Sequence, residues 1–113
     1  MSLNTPSLVQ ARLQEIDAEL AVKQNAYEDA AKAHFKAKHE REEAKAKAFL
    51  AARTDADGRV RTGQERSALA VLETGSIGVE EEARWEALKG SVRALEARAT
   101  IGTSLLKAQG RGG

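Results

Sequence analysis

The chain of 113 residues contains no cysteine, one proline and four aromatic residues other than histidine. Without cysteine there are no disulfide staples, no thiolate metal ligands and no thiol nucleophile, which fits a reducing compartment. The single proline, Pro6, leaves everything after it free to be helical. Two Phe, one Tyr and one Trp are too few for a thick globular core but suffice for helices packed edge to edge. β-Branched residues do not alternate with polar ones over any useful length, so no strand is expected. No run of about 18 apolar residues is present, nor a basic-then-apolar leader, and the chain reads as soluble and cytoplasmic. With a net charge of +1 there is no overall attraction to nucleic acid.

What is present is Ala, Leu, Glu, Lys and Arg. Length allows one domain at most. Thr5-Pro6 forms a helix start, with Thr as N-cap and Pro in the first helical position. No breaker follows until about Arg53, which predicts a helix over residues 6–53, about 70 Å long at 1.5 Å per residue. Val9, Leu13, Ile16 and Leu20 step by four and three, and the steps continue through Lys23, Tyr27, Ala30, His34, Ala37, Arg41, Ala44 and Ala48. This is a heptad seam, bulky at the start and thin afterwards. Phe35 and Phe49 lie beside it and are expected to widen it.

The helix is interrupted by "TDADGRVRTGQER", residues 54–66. Asp57-Gly58 is a turn signal, and Thr62-x-x-Glu65 fits a capping box. A short helix, "GQERSALAVLET", should follow, with Leu69 and Leu72 covering Phe49. The turn and short helix occupy about residues 54–78. The last helix is expected over 79–109, with Glu80, Glu81 and Glu82 at the positive end of its dipole. Its own seam runs Trp85, Leu88, Val92, Leu95, Ala99, Gly102 and Leu106. Gly110 should stop it, leaving a disordered tail at 110–113. The fold class is therefore all-α: an antiparallel coiled-coil helical hairpin with a long first helix, a short helix at the turn and a long last helix.

The arms differ in length. If pairing starts at the turn, the last helix runs out near residue 20, and Val9, Leu13, Ile16 and Leu20 lack cover. Leaving four such side chains exposed forgoes on the order of 6–12 kcal/mol. A second copy of the chain is the simplest cover, so a homo-oligomer assembled through these four residues is expected.

Candidates for chemistry fare poorly. His34 and His39 project about 140° apart on a helix and cannot share one metal. "HEREE" places Glu43 where a zinc-protease motif needs its second His. "DADG" as a calcium loop would put Arg53 and Gln64 at the key ligand positions. The carboxylates Glu40 and Glu43 lie on an exposed face, and no phosphate-binding glycine motif occurs. The chain reads as a non-enzyme without cofactor, metal site or small-molecule substrate.

Charge distribution is more informative. Residues 32–66 carry ten basic and six acidic side chains, whereas residues 1–31 carry two and five. Lys45, Lys47, Arg53, Arg59, Arg61 and Arg66 cluster nearest the turn, as candidate contacts for single-stranded nucleic acid or an acidic partner. Against this, Lys32, Lys36 and Lys47 share a face with Glu43, Glu80–Glu82 return to the same end, and no exposed aromatic is placed for base stacking.

The order of features carries a resemblance. A Lys/Ala/Glu helix ends in "AKAFLAA" at 46–52 and is followed by a Gly-containing turn. Next come Thr62, Glu65, Arg66 and Ala68, and then a helix with Trp85 near its start and "LKGSVRALEAR" at 88–98. Over Ala44 to Leu106 the chain resembles the small coiled-coil hairpin proteins of tailed bacteriophages, often encoded beside replication and recombination genes. Its turn is longer and richer in Arg than that pattern. The resemblance implies an oligomeric accessory factor in the host cytoplasm that assists DNA recombination or replication by helping a recombinase or annealing protein. A virion-assembly scaffold or chaperone that grips a coat subunit is the alternative, and a mimic that blocks a host factor is a third reading.

Overall fold

The computed structural model describes residues 6–111 and contains three helices: α1 (Pro6–Ala51), α2 (Gly63–Thr74) and α3 (Val79–Arg111). No β-strand occurs among the described residues, and no helix there is long and apolar enough to cross a membrane. α1 ends two residues before Arg53, and α3 runs one residue past Gly110, the expected stop. Thr5 and residues 112–113 of the expected tail lie outside the described residues. The chain forms two compact units.

The first unit joins residues 6–30 of α1 to residues 85–111 of α3. Tyr27 stacks on Trp85 at 6.5 Å between ring centroids, and Leu13 lies against Gly102. The two contacts run in opposite chain directions, so the helices are antiparallel. Val9, Ile16, Ala30 and Leu95 are buried, while Leu13, Leu20, Trp85, Leu88 and Val92 are half-buried. At Gly102 an added Cβ would fall 2.7 Å from Leu13 Cδ2, so the missing side chain is what admits the leucine. Lys23 holds a seam position yet is exposed, as suits a side chain whose ammonium is costly to bury. The arms also differ in charge. The α1 segment has five acidic and two basic side chains, and the α3 segment has five basic and two acidic.

The expectation that residues 9–20 outrun their partner is thereby corrected. Val9 and Ile16 are 8% and 4% exposed, and Arg98, Ile101, Gly102 and Leu105 of α3 share a groove with them. The error lay in register. α3 does not begin pairing at the turn, because α2 occupies that stretch of α1. The 12 residues of α2 and 33 of α3 together nearly equal the 46 of α1.

The second unit spans residues 31–84. Arg66 of α2 meets Phe49, and Gly78 meets Ala37, again antiparallel. Its interior is thin: Ala37, Ala48, Ala70, His34 and Thr74 are the buried side chains. Small residues let α2 approach α1 closely but add little apolar burial per contact. Thr74 satisfies its hydroxyl by donating to the Ala70 carbonyl at 2.7 Å. Two side-chain expectations fail here. Phe35 is 56% exposed, tilted against His34 at 5.0 Å, and does not widen the seam. Leu69 and Leu72 do not cover Phe49. That face of α2 presents Arg66 and Ala70, while Leu72 is 81% exposed.

Candidate functional site

The interruption between α1 and α2 is a stapled loop. Thr54 and Val60 form an isolated antiparallel bridge, and Arg61 N–H donates to the Arg53 carbonyl at 3.0 Å. Asp55 holds the tip: its Oδ1 accepts from the Asp57 and Arg59 amides, both at 2.9 Å. Gly58 takes φ +81°, which the turn requires and which a side chain would resist. Thr62 caps α2, its hydroxyl accepting from the Glu65 amide at 3.2 Å. The Glu65 carboxylate reaches the Arg59 guanidinium at 3.5 Å, so it faces the loop arginine.

The arginines of this loop are engaged. A helix leaves its last four carbonyls without intrahelical donors, and its C-terminal end carries partial negative charge. Arg66 Nε donates to the Phe49 carbonyl at 3.0 Å, with its guanidinium carbon 4.1 Å from the Phe49 ring centroid. Arg61 donates to the Ala52 and Thr54 carbonyls at 3.3 and 2.8 Å. Arg59 pairs with Asp55 at 3.3 Å. Three of the six cations singled out in the sequence therefore close the end of α1 or brace its loop. Lys45, Lys47 and Arg53 make no ion pair among the described residues. The charge of this unit is also nearly balanced, with eleven basic against ten acidic side chains, because Glu73 and Glu80–Glu82 belong to it.

Other candidates sit apart from one another. His34 is buried on α1, and His39 is exposed and pairs with Glu43 at 3.1 Å. Among the described residues, no three His, Asp or Glu side chains gather where they could hold a metal. Val9, Leu13, Ile16 and Leu20 lie on the first unit's seam, whereas the loop belongs to the second unit.

Sequence reasoning missed the grooves beside α2. On one side, Lys45, Ala46, Phe49 and Leu50 of α1 face Ser67 and Ala70 of α2 across a groove of about 390 Å³. A smaller groove of about 210 Å³ shares Glu42 and Lys45 with it and continues to Val71, Thr74 and Gly75. Leu50 is 68% exposed at its edge. The opposite side of α2 carries Leu69, Leu72 and Glu73 beside Ala48, Ala51, Ala52 and Arg61, around about 480 Å³. One signal was available: Leu50 falls off the heptad steps of α1, where a leucine has no place in a simple two-helix seam.

Comparison with protein-family models, curated proteins and solved structures returns no match for this chain.

Proposed function

We propose that this chain is a non-enzymatic accessory protein that docks a protein partner along the α1–α2 groove over Phe49 and Leu50. In the phage setting implied by the resemblance, that partner is a recombinase or annealing protein of DNA recombination or replication. The supporting observation is what the turn's cations do. Arg61 and Arg66 bind main-chain carbonyls and Arg59 binds Asp55, in a unit of nearly balanced charge. A nucleic-acid backbone is gripped by several cations along one track. A protein partner needs apolar anchors with a charged rim. Phe49, Leu50, Ala46 and Ala70, with Lys45 and Glu42 at the edge, provide the latter.

The purified protein should be challenged separately with an annealing protein, a coat subunit and a single-stranded oligonucleotide at about 50 mM salt, where phosphate contacts are strong. The expected result is retention of the annealing protein, lost in Leu50→Glu, and no retention of the oligonucleotide. Retention of the coat subunit alone would transfer the chain to the scaffold reading. Oligonucleotide binding that survives Leu50→Glu but disappears in Lys45→Glu/Lys47→Glu/Arg53→Glu would restore the phosphate-contact reading.

A further inference from the structure

We infer that the far side of α2, carrying Leu69 and Leu72, is an isologous interface that takes a second copy of this chain. This surface lies opposite the groove over Phe49 and does not depend on the partner proposed for it. Ser67, Ala70, Val71 and Thr74 project from one side of α2, and Leu69, Leu72 and Glu73 from the other.

The argument is self-complementarity. A two-fold interface needs a projection and its receptacle within the same patch, because each copy must supply both. Here Leu72, 81% exposed, and Leu69, 38% exposed, stand beside a floor of Ala48, Ala51 and Ala52. Rotating a second molecule about an axis through the patch seats its leucines on this alanine floor, and the first molecule's leucines on the other floor. Charge supports the same arrangement. Arg61 borders the groove just before α2 begins, and Glu73 borders it near the end of α2. In an antiparallel pairing, the cationic end of one copy meets the anionic end of the other. A parallel pairing would place like charges together. Arg61 gives Nη1 alone to the Ala52 and Thr54 carbonyls, which are neutral, so its position at the rim is fixed before association while its charge stays unpaired among the described residues. The patch is about as long as α2, roughly 18 Å for 12 residues, which places the contact among small interfaces and calls for a concentration series to reveal it. The oligomer expected from the N-terminal leucines is thus moved to α2.

The test is sedimentation equilibrium of the whole chain from micromolar to submillimolar concentration, with helicity checked by circular dichroism. The wild type should pass from monomer to dimer. Leu72→Glu and Ala51→Glu, both at exposed sites, should each weaken association by about tenfold or more. The absence of native cysteine permits a second, positional measurement. Leu72→Cys and Ala51→Cys proteins, when mixed, should form a disulfide-linked heterodimer faster than either does with Val22→Cys, a control at an exposed α1 site. Association left intact by Leu72→Glu and Ala51→Glu, wild type that stays monomeric throughout, or equal cross-linking to the Val22→Cys control overturns the inference.

Discussion

Arg66 shows how a residue type can be read correctly from sequence and its task misread. Its charge marks a basic cluster with Arg59 and Arg61, and charge counts are legible in a linear chain. The orphaned carbonyls at the end of a 46-residue helix are equally predictable, yet which donor reaches them depends on where the chain returns. The return places Arg66 over Phe49, where one side chain supplies a hydrogen bond and a cation–π contact. Arg66→Ala should lower the free energy of unfolding by about 1–3 kcal/mol, since a carbonyl and a ring lose their partner together. Lys47→Ala, at an exposed site with no ion pair, should stay within about 0.5 kcal/mol. Urea unfolding of both variants measures this, and equal effects would remove the capping role. Asp55 was legible only as part of a turn signal. Its two backbone bonds became evident with the loop's closure.

At the scale of elements, the long–short–long order of helices was legible because Pro, Gly and capping residues punctuate an otherwise uniform composition. The inner faces of α1 and α3 were legible too, from steps of three and four. α2 was not, since its leucines lie off the contact and its buried residues are Ala70 and Thr74. A twelve-residue helix gives too few turns for the seam to stand out from composition. The link between α2 and α3 depends on Gly78, which has φ +82° and would place a Cβ 3.2 Å from that of Ala37. Gly58 shares the positive φ but faces open space. Both Gly→Ala changes incur the left-handed penalty of about 1–2 kcal/mol, and Gly78→Ala adds a steric clash. Thermal melts should therefore rank Gly78→Ala below Gly58→Ala. Equal losses would mean that α1 yields at Ala37 without cost.

For the whole molecule, what sequence could not give was register. Counting helix lengths from the turn leaves residues 9–20 bare, but the chain enters α3 from Gly78, which lies beside Ala37, and later turns of α3 share a groove with Val9 and Ile16. Opposite charge on the two arms of the first unit favours the same pairing, with the acidic start of α1 against the basic end of α3. Ile16→Ala should lower stability by about 2–4 kcal/mol through the cavity it leaves, without changing the sedimentation coefficient. A melting temperature that depends on concentration in the wild type, but not in Ile16→Ala, would return the N-terminal seam to intermolecular duty.

The thin attachment of α2 has a consequence for the lifetime of the folded chain. With only Ala70 and Thr74 of its own twelve residues buried, α2 uncovers little apolar surface when it detaches, so local opening should begin there. The helix that displays both candidate surfaces is thus also the easiest for a protease to reach. Anything bound beside it holds it down by mass action. Unoccupied copies would be cleared sooner than engaged ones.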